Sequence, residues 1–265
     1  MKKSIFVLMM GAVIGILGQV SSAQAFLDLT GGGNGFINSA YFEWTDFKAT
    51  GTGVIETFVQ LDDATKKTGT VTEGYNTTVN GVFDNVGSDQ HNHEVLLSDI
   101  PIVNLSGVDY YQFLLDINEN KGHDDEFLSL DEIQLFLSDT PNQSVTSFTG
   151  GILNLATSDL IYRLDGLAND HILMDASLNT GSGSGDVFAY IPKSLFDGNS
   201  RPYIFLYSRF GENAEQSSGF EEWAYLPKED CILDCDDNLV PEPASMLLLG
   251  SGLAGLGFIR RRKNA

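Results

Sequence analysis

Tyr203-Ile204-Phe205-Leu206-Tyr207 is apolar or aromatic at every position. Successive side chains of a strand point to opposite faces, so a run without polar alternation predicts a strand covered on both sides. Short β-branched and aromatic runs, separated by glycine, asparagine and aspartate, recur along the chain around it. They predict strands at 53–61, 93–97, 108–117, 132–137, 159–164, 172–176, 186–191, 203–207 and 221–226. Only a short helical turn is expected between them, at 193–196. A strand buried on both faces needs a second layer, so the fold expected for residues 26–227 is all-β, a β-sandwich of short antiparallel strands. The glycine-rich stretches 31–35 and 181–185 lead into no helix and lack the Gly-Lys-Ser/Thr ending of a phosphate cradle. They are read as flexible connections.

Charge narrows the range of partners. Of the 15 basic residues, six lie at the chain ends: Lys2, Lys3, Arg260, Arg261, Arg262 and Lys263. Residues 26–241 hold nine basic and 35 acidic residues, a net charge of −26. Such a surface repels phosphate backbones, which excludes nucleic acid as a partner. With 42% hydrophobic and 11% aromatic residues the chain as a whole can still fill a core, so acidity here does not imply disorder.

The two ends carry the clearest signals. Lys2 and Lys3 precede the apolar run 5–18, and Ala23-Gln24-Ala25 follows it. This is the order of a signal peptide over residues 1–25, cut after Ala25, with the Sec translocon and signal peptidase as partners. At the other end stands Val240-Pro241-Glu242-Pro243-Ala244-Ser245, then an uncharged stretch to Ile259, then Arg260-Arg261-Arg262-Lys263. Residues 244–259 would form a helix of about 24 Å, slightly short of a bilayer core. The basic cluster stops it on the cytoplasmic side. Pro241 and Pro243 lack amide hydrogens and favour extended backbone, which suits presentation to a protease beside the membrane.

These residues resemble the PEP-CTERM sorting signal in all three parts: the Val-Pro-Glu-Pro-Ala-Ser box, the glycine-bearing apolar helix and the arginine-rich end. The resemblance covers residues 240–265. It implies recognition and cleavage near the box by an integral-membrane exosortase, with the protein passing from the inner membrane to the surface or extracellular matrix of a Gram-negative bacterium. It also implies association with exopolysaccharide and biofilm. A tail of this kind is sometimes labelled "ice-binding protein, C-terminal"; Thr68, Thr70 and Thr72 alternate, but no repeat carries a threonine array along this chain. The segment between the ends also resembles an uncharacterised extracellular module of such proteins, through Leu128-Ser129-Leu130-Asp131-Glu132-Ile133 and Gly219-Phe220-Glu221-Glu222-Trp223-Ala224.

Within the acidic linker 228–239 lie the only two cysteines, Cys231 and Cys235. A small disulfide loop fits an exported protein, with two free thiols as the alternative; zinc would need further ligands. Asp116, Asn118 and Asn120 place oxygens at alternate positions, and Asp124 and Asp125 follow, so they are candidate calcium ligands. An EF-hand is excluded, since its glycine and glutamate positions fall on Lys121 and Phe127. An acidic solvated hairpin is the competing reading. His91 and His93, with Asp89 or Glu94, form a second metal candidate weighed against an exposed loop.

Three functions compete for the central domain. The first is a non-enzymatic surface or matrix protein that needs no cofactor and tolerates calcium. In the second, Trp44, Tyr75 or Trp223 stack on sugar rings in a carbohydrate-binding module. The third is a glycoside hydrolase built on Glu221 or Glu222 with Asp131. Adjacent strand residues face opposite ways, so Glu221 and Glu222 cannot act as a facing pair.

Overall fold

The computed structural model describes residues 26–48, 55–62, 71–87, 89–119, 126–166, 169–179, 185–215 and 219–227. In chain order the first eight strands are β1 (Phe26–Asp28), β2 (Asn34–Ile37), β3 (Ala40–Trp44), β4 (Glu56–Leu61), β5 (Thr72–Tyr75), β6 (Val95–Leu96), β7 (Ile102–Leu105) and β8 (Val108–Ile117). The next eight are β9 (Phe127–Ser138), β10 (Phe148–Thr149), β11 (Ile152–Leu153), β12 (Ser158–Arg163), β13 (His171–Asp175), β14 (Val187–Pro192), β15 (Tyr203–Phe210) and β16 (Glu221–Tyr225). Helical structure among the described residues is limited to two 3-10 turns, Leu97–Asp99 and Lys193–Phe196. The described residues are all-β, and each of the nine strand regions expected from the sequence contains a strand.

One seven-stranded sheet runs β1-β13-β9-β15-β5, with β12 also on β9 and β6 on β15. The other runs β2-β3-β14-β8-β16-β4, with β7 also on β8. A single buried cluster joins them: Phe113, Leu115 and Ile117 of β8 meet Leu130, Leu135 and Leu137 of β9 and Ile204 and Leu206 of β15. Hydrogen bonds that cross between the layers include Trp223 Nε1 to Ser208 Oγ at 3.0 Å and Tyr162 Oη to the Ile37 carbonyl at 3.0 Å. Among the described residues the named strands pair antiparallel with one exception, which corrects the expected all-antiparallel arrangement. β1 lies parallel to β13, in the register Leu27 to Ile172. A parallel pair needs a long crossover, and here most of the domain lies between the two strands.

In β9 the core residues change parity, from Leu128 and Leu130 to Ile133, Leu135 and Leu137. The register on β15 slips between Arg209 and Phe210, the mark of a β-bulge at Asp131 and Glu132. Both carboxylates are consequently buried and fully engaged. Asp131 accepts from the Glu212 amide at 2.7 Å, Asn213 Nδ2 at 2.7 Å and Ser129 Oγ at 3.0 Å. Glu132 accepts from Arg163 Nε at 2.8 Å and the Asp165 amide at 3.1 Å. Burial pushes the Glu132 carboxyl above its ordinary range, and these bonds offset only part of that.

β15 is covered on both faces, as its unbroken apolar run requires. Ile204, Leu206 and Phe210 enter the inter-sheet core, while Phe205 and Tyr207 pack outward with Tyr75, Val82, Phe136 and Leu153. Along one side of β15, β6 pairs with Tyr203 and Ile204, and β5 pairs from Tyr207 onward. Asn76 fills the gap: its Oδ1 accepts from the Leu206 amide at 2.7 Å and its Nδ2 donates to the Ile204 carbonyl at 2.9 Å. A side-chain amide thus replaces a peptide group in the ladder.

The stretch 31–35 is not a simple flexible connection. Gly35 lies inside β2, where a Cβ would come within 2.5 Å of Leu27 Cδ1. The expected signal peptide, linker 228–239 and membrane span 244–259 lie outside the described residues. Among the described residues no helix is long and apolar enough to cross a membrane.

Candidate functional site

The second sheet turns one face to the core and the other outward. Alternation along β8 sends Tyr110, Gln112, Leu114 and Asp116 to that outer face, opposite the core residues Tyr111, Phe113, Leu115 and Ile117. Register then aligns Gln112 with Tyr190 of β14, Tyr190 with Tyr41 of β3, and Tyr41 with Phe36 of β2. The result is a row of rings across the sheet. Phe36 and Tyr41 lie 4.9 Å apart between centroids, Tyr41 stacks on Tyr190 at 5.6 Å, Phe188 is 5.7 Å from Tyr190, and Phe47 is 6.0 Å from Phe188.

Where β3 runs out, this face deepens into a groove of about 450 Å³ floored by Phe188, Tyr190 and Gln112. Trp44, Phe47 and Leu226 contribute apolar walls, and Glu43 and Asp46 place carboxylates there. Gln112 is 2% exposed, and its Oε1 has no hydrogen-bond partner among the described residues. Its Nε2 makes one long contact to Tyr190 Oη, at 3.4 Å. Burial pushes the Tyr190 hydroxyl up to about 12, so it keeps its proton and remains a donor at neutral pH.

The candidates read from the sequence fare unevenly. Of the three aromatic residues, Tyr75 and Trp223 are fully buried, so neither can stack on a sugar; their rings fill the outer and inter-sheet cores. Trp44 is half-buried, borders the groove and packs against the inter-sheet cluster, on the strand face opposite Tyr41 and Glu43. Of the calcium set, Asp116 is buried within β8 opposite Glu222, which corrects a solvated hairpin at that position. Asn118 donates its Nδ2 to the Phe220 carbonyl at 3.1 Å. Its own carbonyl presses on Gly219, where φ is +94° and a Cβ would lie 1.8 Å from the oxygen. The remaining candidates, Asn120, Asp124 and Asp125, lie outside the described residues.

His91 and His93 flank a structural asparagine. Asn92 is buried, accepts from the Gln60 amide at 3.0 Å and donates to the Val86 carbonyl. Among the described residues no three His, Cys, Asp or Glu side chains converge in a way that would hold a metal ion. Glu222 accepts from Gln60 Nε2, and burial raises its carboxyl above the ordinary range. Glu221 is fully buried beside it on β16, and Asp131 is committed to the loop after β15.

The groove went unrecognised in the sequence because its members come from four separate stretches of chain. Only the alternation of Phe188 and Tyr190 within β14 offered a local hint.

Ala23 and Ala25, Cys231 and Cys235, the box Val240-Pro241-Glu242-Pro243-Ala244-Ser245 and the basic stop Arg260-Arg261-Arg262-Lys263 lie outside the described residues. Comparison with known proteins bears on the last two. No curated protein and no solved structure matches the chain. A family model does match its end, the PEP-CTERM protein-sorting motif, over residues 239–263. That motif implies export to the surface with processing by an exosortase membrane protein. The chain carries a PEP-CTERM protein-sorting signal.

Proposed function

We propose that the chain is a non-enzymatic surface protein of a Gram-negative bacterium, exported through the Sec translocon with cleavage after Ala25. In this reading residues 244–259 hold it in the inner membrane until exosortase cuts near the box, and the acidic domain then joins the exopolysaccharide of the matrix. The sorting motif at 239–263 is the observation that carries the reading. The net charge of −26 over 26–241 agrees with it, since such a domain stays soluble and resists self-association. Engagement of Asp131 and Glu222 in structural hydrogen bonds favours a non-catalytic role over a glycoside hydrolase.

Cell fractionation tests the sorting. The wild-type chain is expected in the surface and culture fractions. A chain with Pro241→Ala, Glu242→Ala and Pro243→Ala together is expected to accumulate in the inner membrane at full length, with at least tenfold less surface material. Equal distribution of the two chains would overturn the reading.

A further inference from the structure

We propose that the groove on the outer face of the second sheet binds an internal segment of a neutral polysaccharide. A pyranose presents a C–H face and a rim of hydroxyls. The groove answers both: the half-buried rings of Phe47 and Phe188 offer flat apolar surface, while Glu43, Asp46 and Gln112 offer hydrogen-bond acceptors. The Gln112 amide is the more telling feature, because a buried polar oxygen without a partner costs free energy unless a ligand or water supplies a donor.

Charge selects among glycans. Two carboxylates in the groove and a domain charge of −26 repel polyuronates and sulfated chains, whereas hydroxyl groups donate readily to carboxylates. The site is open along the sheet, where the ring row continues through Tyr41 to Phe36, which is 64% exposed. An open row of rings suits a polymer threading past more than a single sugar held at its end.

The inference rests on the extracellular reading for its setting alone. Failure of glycan binding with normal sorting would remove the groove's role and leave the sorting intact; the converse result would do the reverse.

The full chain, extracted in detergent, is run through native gels containing hydroxyethylcellulose, dextran or the anionic polyuronate alginate. Retardation is expected with at least one neutral polymer and not with alginate. Intrinsic fluorescence gives a site-specific readout, since the chain has two tryptophans and Trp223 is sealed in the core. Emission from Trp44 is expected to shift on adding the neutral polymer. Phe47→Ala and Phe188→Ala should each weaken retardation about tenfold, the scale of losing one ring contact at a binding centre. Phe47→Ala, at the groove's edge, serves as the variant whose circular dichroism and unfolding midpoint should match wild type. Three outcomes overturn the proposal: no retardation by either neutral polymer, unchanged binding in a folded Phe47→Ala chain, or polymer binding that appears only after residues 228–265 are removed. The last would mean that the chain's own linker fills the groove.

Discussion

Trp223→Ala is expected to destabilise the domain by about 3–5 kcal/mol, the range for truncating a fully buried aromatic. The indole is 0% exposed and packs in the inter-sheet cluster, so its loss leaves a void between two layers that cannot close around it. It also removes the Nε1 donor that reaches Ser208 Oγ at 3.0 Å from the other sheet. Trp223→Phe separates the two contributions. It keeps most of the volume and loses the donor, so about 1–2 kcal/mol is expected. Urea unfolding followed by far-ultraviolet circular dichroism measures both. A cost below 1 kcal/mol for the alanine variant would contradict the packing described for the two sheets.

Asn76→Ala is expected to cost about 2–5 kcal/mol, because two buried backbone groups lose their partners at once. Asn76 is 0% exposed, and its carboxamide pairs with the Leu206 amide and the Ile204 carbonyl between β5 and β6. Alanine offers neither donor nor acceptor, and water has little access to the gap. Asn76→Asp retains an acceptor for the Leu206 amide but forfeits the donor and buries a charge, so it is expected to be no better than alanine. Amide exchange gives the local test: Leu206 should lose protection in the alanine variant more than its neighbours in β9. Unchanged exchange at Leu206 would show that the side chain does not complete the ladder.

These two residues also mark how far the sequence was legible. Trp223 lies in a run that reads as a strand, and is a candidate for sugar stacking under only one of three competing functions; nothing local distinguishes a tryptophan facing solvent from one facing another sheet. Asn76 falls in none of the strands expected from the sequence, and only the pairing of β5 and β6 along β15 turns it into a ladder element. The long strands β8 and β15, and β9 from Glu132 onward, were legible because their apolar runs are long and β-rich. The short edge strands were not: β2 and β5 are four residues each and contain Gly35 and Gly74. Gly74 is there for space, as a Cβ would lie 2.2 Å from Asn85 Oδ1. The parity slip in Leu128-Ser129-Leu130-Asp131-Glu132-Ile133 is visible in the sequence as an extra residue between apolar positions, a bulge signal that explains two buried carboxylates otherwise open to a catalytic reading.

The terminal signals and the domain divide the information differently. The sorting signal is local in sequence, readable from consecutive residues, and matched by a family model. The groove is assembled by register across β3, β8 and β14, so it exists only once the sheet does. The first gives the address of the protein, and the second gives a chemistry for what it meets there.

Mass spectrometry of the C-terminal peptide from surface-exported protein tests the sorting account most directly. The account predicts chains ending at or near residues 240–245, with no peptide from the apolar and basic segment beyond. Recovery of the intact terminus through Ala265 in fully exported material would contradict it.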